Sequence, residues 1–432
     1  MKETNSRQDN NNIINENIEA SNNIKNNINE TGITSIKEIF PSPPLIGLKN
    51  IDESMNFINV VLQCFCHIEK FVNYFKYRPR ISEVISLYQN QKKEISLTNL
   101  FKIIIENLWP SNNEYIDKNN NNQNNNNKYY SPNNFKENIT KLYPGIKDSL
   151  NKEPKNLIIY IIKRLHDELN KAKPNNNTNS ESNTQNTEDE SNKMMKLNNF
   201  MKKFMNENKS LISDIFFGMN TTSIQCSSCK MINYDFDIYY FLSFPLEEIK
   251  EYKMNQLKDQ LFLMNNMVNK DPRQNLLNLD FTINSLSIYD CFQYKKDNIE
   301  TITGSYEMKC SNCNANLMYS TQTNLCTAPE ILIIGLNKGK DFEINIKLNF
   351  SEDLNLMNFI EMNNTGYNFK LIGVISYIGK DGENKKFCSY CRNPIDSKWY
   401  KFEDELVKPV VNFQNEIVDS ESPYILFYRK IK

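Results

Sequence analysis

Residues 47–63 read Gly-Leu-Lys-Asn-Ile-Asp-Glu-Ser-Met-Asn-Phe-Ile-Asn-Val-Val-Leu-Gln, and the organisation of the chain can be worked outward from them. The stretch Pro44 to Asn50 leads into a segment where Phe57, Val60, Val61, Cys64, Phe65, Phe71 and Val72 recur at helical spacing, so a helix is expected over Asn56–Phe75. A second is expected over Lys155–Lys171, with Ile158, Ile161, Ile162, Leu165 and Leu169 on one stripe, and a third over Lys196–Asn206. From Ile215 the pattern turns to strands: Tyr234–Leu246, Ile331–Leu336, Phe342–Leu348, Phe369–Ile378, Phe387–Arg392 and Tyr424–Tyr428. Helices first and strands afterwards indicate an α+β domain, with a helical lobe over about 44–210 and a strand-rich remainder.

The chain has 432 residues, 39% of them hydrophobic, enough for a sizeable core. Lys and Arg total 51 against 52 for Asp and Glu. The net charge of −1 gives no basic field, which argues against a nucleic-acid or membrane-surface binder. No apolar run approaches the roughly 20 residues of a membrane span, and the opening MKETNSRQDN has no apolar signal region. Ten cysteines in such a chain read as reduced thiols or metal ligands, so a cytoplasmic or nuclear location is expected. Residues 1–40 are Asn-rich and expected to be disordered. One domain is expected over 41–432, with low-complexity inserts near 111–130 and 171–195.

Cys226-Ser-Ser-Cys229 and Cys310-Ser-Asn-Cys313 are two Cys-x-x-Cys pairs. Each can place two thiolates on adjacent corners of a zinc tetrahedron, so Cys226, Cys229, Cys310 and Cys313 are the candidate structural zinc ligands. Cys388 and Cys391 lack a second half and read as core packing. Cys64, Cys66, Cys291 and Cys326 read as small buried apolar residues.

Taken in order, these segments resemble the ubiquitin-specific proteases, papain-like cysteine peptidases that release ubiquitin from conjugates. Gly47–Ile51 and Asn59–Gln63 are similar to that family's first box, and Leu157–Asn170 to the helix of its second block. Ile215–Gly218, the first cysteine pair and Phe241–Leu246 are similar to the entry into the fingers; Ser287–Phe292 and Tyr306–Cys313 are similar to the return. Pro329–Leu336 resembles a strand that usually reads PxxLIIxLKRF. Tyr367–Ile375, Trp399–Phe402 and Tyr424–Tyr428 resemble the closing strands. The resemblance implies a papain-like fold with a helical thumb, a β-rich palm and zinc-ribbon fingers.

The family's chemistry needs a thiolate nucleophile at a helix N-terminus, a histidine base and an Asp or Asn to orient it. The resemblance puts Asn56 at the nucleophile position, or Met55 if the gap in the preceding loop is shifted, Lys386 at the base and Glu403 at the third position, with Asp404 beside it. The Gln-Glu pair expected before the second-block helix is replaced by Lys155-Asn156. Neither Asn nor Met is a nucleophile, and an exposed lysine holds its proton to about pH 10. Cys64 and Cys66 lie 8 and 10 residues past Asn56 in the expected helix, roughly 12–15 Å from its start. The two histidines, His67 and His166, both fall in the helical half. No sulfur and imidazole are therefore expected to meet across the cleft.

The expectation is a catalytically silent member of the fold that binds ubiquitin, a ubiquitinated protein or a complex subunit without cleaving it. Two alternatives stand beside it. One is an active deubiquitinase with a rearranged site. The other is a ubiquitin-independent scaffold in a splicing or RNA-processing complex.

Overall fold

The opening stretch folds as a strand, β1 (Ile46–Leu48), and a helix, α1 (Asn56–Phe65), whose ten residues are all buried. A helix apolar enough to bury every face becomes the centre of a core. The helix expected over Asn56–Phe75 is broken after Phe65. Short i−3 bonds from His67 N–H to the Cys64 carbonyl (3.3 Å) and from Ile68 N–H to the Phe65 carbonyl (3.1 Å) turn the chain there. It resumes as α2 (Glu69–Tyr77), which buries only Phe71, Val72 and Phe75. The turn lets one apolar run serve two differently aimed faces.

The structure, a computed structural model, describes residues 42–50, 55–78, 80–110, 128–148, 152–172, 189–267, 283–303, 310, 312–315, 318–339, 342–362, 366–381, 384–419 and 422–431. The tail expected over 1–40 and most of both expected inserts (111–127 and 173–188) lie outside these residues. The architecture belongs to one unit, Pro44–Lys432.

The helical half continues with α3 (Arg80–Ser86), α4 (Leu97–Leu108), β2 (Lys128–Tyr130, parallel to β1), α5 (Asn133–Leu142), α6 (Pro154–Leu169), α7 (Asp189–Glu207) and α8 (Leu211–Phe216). Phe65 is the hub of its core, with the rings of Phe71, Phe101, Phe216 and Phe427 at 5.5, 5.9, 5.6 and 6.3 Å. One buried charge holds two helices together. The Glu168 carboxylate of α6 accepts from Leu97 N–H, Thr98 N–H and Ser96 Oγ–H, each at 2.9 Å, and so caps the positive end of α4.

The other half begins with β3 (Gly218–Cys226), β4 (Ile232–Tyr239) and β5 (Leu242–Pro245); the single strand expected over Tyr234–Leu246 is two. Two helices interrupt the expected run of strands: α9 (Leu246–Met267) and, after β6 (Ser285–Ser287), α10 (Ile288–Asp297), whose Ser287–Asp290 capping box starts it. The remaining strands are β7 (Ile299–Thr303), β8 (Met318–Thr327), β9 (Ile331–Asn337), β10 (Lys347–Asn349), β11 (Asp353–Asn355), β12 (Asn368–Asp381), β13 (Asn384–Arg392), β14 (Trp399–Glu403), β15 (Leu406–Pro409) and β16 (Ser422–Lys430). Strands β4-β3-β8-β7 form an antiparallel four-stranded sheet. The central eight-stranded sheet runs β15-β14-β13-β12-β16-β9-β5, with β11 on β12.

The strand expected over Phe342–Leu348 is a correction: only Lys347–Asn349 is paired. Phe342 sits at φ +59° and stacks on Tyr377 at 4.3 Å, so its apolar character serves ring packing rather than a ladder. Helix α1 lies across β12 and β13 of the central sheet. Beside its start, β1 presses on the β14–β15 turn so closely that a Cβ at Gly47 would lie 2.4 Å from the Glu405 carbonyl oxygen.

Candidate functional site

The β14–β15 connection is a tight turn in which Glu403 pairs with Leu406 and Asp404 takes a left-handed φ of +53°. An aspartate tolerates that backbone, and here it aims the carboxylate at three asparagine side chains. Asn56 Nδ2 donates to Asp404 Oδ1 at 3.0 Å, Asn59 Nδ2 to the same oxygen at 2.8 Å, and Asn50 Nδ2 to Oδ2 at 3.0 Å. Asn59 Nδ2 also reaches the Leu48 carbonyl, and Leu48 N–H donates to the Asp404 carbonyl at 2.9 Å. Burial raises the Asp404 pKa, and the three amide donors oppose the rise without cancelling it.

Asn56 is the first residue of α1 and is 1% exposed. Its Oδ1 accepts from the backbone N–H of Phe387 on β13 at 2.7 Å. Both ends of the amide are thus engaged: one holds the sheet, the other the Asp404 carboxylate. Met55 precedes the helix at its cap and donates no side-chain cap. Of the two positions weighed from sequence, it is Asn56 whose side chain meets β13 and the β14–β15 turn.

Lys386 and Glu403 are brought together as well. Lys386 Nζ lies 3.1 Å from Glu403 Oε1, with Lys401 Nζ 3.7 Å from Oε2. Burial acts to raise the Glu403 pKa, but the two ammonium groups outweigh it and hold the carboxyl below its ordinary value. Next to them, Lys385 pairs with Glu153 at the start of α6, and Tyr424 Oη donates to the same carboxylate at 3.0 Å. Lys385 also sits over the Phe342 ring at 5.0 Å. The helical half is therefore tied to the sheet beside Asn56 by an ion pair and an aromatic group.

An amide with both ends hydrogen-bonded offers no lone pair of thiolate character. A lysine paired with a carboxylate is in its cationic form. The three positions sit together as an electrostatically neutralised strut, and no thiol or imidazole stands among them. Asn50, Asn59 and the Asp404 hub were not singled out by sequence reasoning as partners of Asn56. The signal was the i, i+3 spacing of Asn56 and Asn59, two amides on one face of a buried helix.

The histidines lie elsewhere. His166 Nδ1 is 2.8 Å from Ser210 Oγ, its ring packs on Phe217, and burial lowers its pKa. His67 is not within a helix as expected but in the turn after α1, wedged between Phe402 (5.0 Å) and Trp109 (6.0 Å). Its Nδ1–H donates to the Gln63 carbonyl at 2.8 Å. Burial acts to lower the His67 pKa, but the Cys391 thiol outweighs it and the value is raised. Both are buried in the core, at 6% and 0% exposure, so they do not form an open cleft. Cys66 is fully buried, and burial raises its pKa.

At the far end of the four-stranded sheet the turns Cys226–Cys229 and Cys310–Cys313 face each other. Their four Sγ atoms lie within 4.8 Å of one another, with Cys226–Cys313 at 3.8 Å and Cys229–Cys310 at 3.7 Å. A tetrahedron with Zn–S bonds of about 2.3 Å has S···S edges of about 3.8 Å, so the donor set fits a structural metal. The Met231 backbone N–H is the largest influence lowering the Cys229 thiol to about 6, and the Cys313 backbone acts likewise on Cys310.

The fold and the order of the site elements define the class: residues 46–428 match the family model described as ubiquitin carboxyl-terminal hydrolase, and the chain belongs to that family. Among individual relatives, ubiquitin carboxyl-terminal hydrolase 2 of Bos taurus is 22% identical over 394 residues, covering 89% of this chain and 55% of its own length. Ubiquitin carboxyl-terminal hydrolase Usp2 of Drosophila melanogaster is 20% identical over 395 residues, covering 90% of this chain and 35% of its own. The chain thus spans about half or less of the length of these curated relatives. A solved yeast SAGA DUBm structure aligns with TM-score 0.55 at 16% identity, covering 93% of this chain and 72% of that one. A SAGA DUB module of Ubp8, Sgf11, Sus1 and Sgf73 bound to monoubiquitin aligns with TM-score 0.52 at 17% identity, covering 98% and 76%. Among the described residues no helix is long and apolar enough to cross a membrane.

Proposed function

We propose that this chain is a ubiquitin-specific protease-like pseudoenzyme, which binds ubiquitin, a ubiquitinated protein or a complex subunit and does not cleave it. The observation that carries this reading is the Asn56 side chain: a buried amide at the nucleophile position, bonded to Phe387 N–H at 2.7 Å and to Asp404 at 3.0 Å. The Lys386–Glu403 ion pair at the other two positions supports it, because a cationic lysine held at 3.1 Å from a carboxylate cannot take a proton from a nucleophile. Membership of the family and a structural neighbour bound to monoubiquitin favour ubiquitin as the partner. Zinc on Cys226, Cys229, Cys310 and Cys313 would clamp the end of the four-stranded sheet and stabilise the fold there, with no part in chemistry. A cytoplasmic or nuclear location fits reduced cysteines.

The test pairs a calorimetric titration of ubiquitin into the pure protein with incubation against a C-terminal fluorogenic ubiquitin. Saturable binding without turnover supports the reading. Turnover that persists in Asn56→Ala supports an active enzyme with a rearranged site. Neither binding nor turnover supports the ubiquitin-independent scaffold.

A further inference from the structure

For a carboxyl terminus to be cut at residue 56, its carbonyl would have to reach that side chain, and the structure fills the space beside it. Asn56 is 1% exposed and is held by the Phe387 N–H. Two residues before Phe387 on β13, Lys385 extends its ammonium to the Glu153 carboxylate at the start of α6, and the two side chains are only 15% and 18% exposed. Tyr424 Oη, on β16, donates to the same carboxylate at 3.0 Å. The Phe342 ring packs against this bridge, stacked on Tyr377 at 4.3 Å, with Tyr424 at 4.8 Å, Phe387 at 5.8 Å and the Lys385 ammonium at 5.0 Å. A bulky residue keeps a left-handed φ of +59° only where its surroundings hold it there. A hollow opens beside the bridge, between Glu153, Lys155, Ser243, Gly335 and Tyr424, with a volume of about 80 Å³. Pockets that take a ligand start at about 300 Å³, so this one has room for a few waters and not for a peptide.

We propose that this bridge closes the approach to residue 56 against a peptide terminus, and that ubiquitin is held by its folded body with its C-terminal tail outside. The second half rests on the reading of the chain as a ubiquitin binder. To admit a tail, the Lys385–Glu153 pair must separate, the Tyr424 hydroxyl must leave its acceptor, and Phe342 must leave the rings of Tyr377, Phe387 and Tyr424. Separating a largely buried ion pair leaves two uncompensated charges, and that cost comes before any contact to the tail is gained. An enzyme needs the terminus threaded to its nucleophile, whereas a chain with a hydrogen-bonded amide at that position has no use for it. The consequence falls on the choice of partner. A ubiquitin whose tail is not read can have its C-terminus free, joined to another protein or joined to another ubiquitin, and all three are bound alike.

Two measurements on the full chain test this. In the first, ubiquitin and ubiquitin trimmed of its C-terminal tail are each titrated into the protein by calorimetry. The expected dissociation constants agree within about twofold, and a loss of about tenfold or more on trimming, the size of an engaged contact, overturns the proposal. Binding of neither form overturns ubiquitin as the partner and with it the role given to its folded body; the closure is then decided by the second measurement alone. There the chain without ubiquitin is treated briefly with an amine-acylating reagent, digested with chymotrypsin and mapped by mass spectrometry. Lys385 should react about fivefold or more slowly than the exposed Lys398, because its amine is reached only when the bridge opens. Equal rates at the two lysines overturn the closure, and this comparison needs no variant. Phe342→Ala and Glu153→Gln, each established as folded by circular dichroism, should bring the Lys385 rate toward that of Lys398. An unchanged Lys385 rate in folded Phe342→Ala overturns the role given to Phe342.

Discussion

Replacing Asn56 by aspartate changes one atom of the strut from donor to acceptor and should make stability steeply pH-dependent. In the wild-type chain Asn56 Nδ2 donates to Asp404 Oδ1 at 3.0 Å, and Oδ1 accepts from Phe387 N–H. In Asn56→Asp the bond from Phe387 survives, but a carboxylate oxygen replaces the donor at about the same distance. Two unit charges 3.0 Å apart repel by about 5 kcal/mol at an effective dielectric of about 20. That repulsion makes the pair take up one proton and hold it well above the ordinary carboxylate range. The folded-state pKa is raised above its unfolded value. The variant's relative stability is therefore fully present below about pH 4, where a shared O–H can imitate the lost amide donor, and it is lost as pH rises through the folded pKa. Burial already moves Asp404 in this direction in the wild type, so the comparison must be made between the two proteins at each pH. Urea unfolding at pH 5 and pH 8 is the assay. The variant should lie within about 1 kcal/mol of wild type at pH 5 and fall about 3–4 kcal/mol below it at pH 8. Equal stability at pH 8, or a loss that does not change with pH, would mean that residue 56 does not face Asp404.

Asn56→Ala, by contrast, should lose about 2–4 kcal/mol at every pH, since it orphans the buried Phe387 N–H and one donor to Asp404; urea curves at the same two pH values read this. Glu168→Ala should cost about 3–5 kcal/mol in the same assay, because three donors at the start of α4 lose their acceptor. Gly47→Ala should lower the thermal midpoint, with a cost of about 1–3 kcal/mol, because a Cβ there meets the Glu405 backbone at 2.4 Å and neither strand can move aside freely. Purified protein should carry about one equivalent of zinc by metal analysis, and a strong chelator should lower the thermal midpoint of wild type but not of Cys310→Ser.

Much of this was legible in residues 47–65, because a buried helix announces itself through Phe57, Val60, Val61, Cys64 and Phe65 whatever surrounds it. The paired cysteines were legible for a similar reason: a Cys-x-x-Cys turn carries its geometry locally, and the four sulfurs do converge. The break at Cys66–Ile68 was hidden, since both sides of it are apolar and only the differing burial of α1 and α2 requires a turn. Phe342 misled as a strand residue because ring stacking and strand pairing draw on the same residue types. The Asp404 hub could not be read at all. Its role depends on a left-handed turn meeting a helix more than 300 residues earlier in the chain.

The proposed function requires the buried Asn56 amide to stand where the family's nucleophile would. Ubiquitin bearing a thiol-reactive group at its C-terminus tests this, read by the intact mass of the pure chain after incubation. The expected result is the unmodified mass at ubiquitin concentrations that saturate binding. A covalent adduct, mapped to any cysteine of the chain and abolished by heat-unfolding it first, would contradict it.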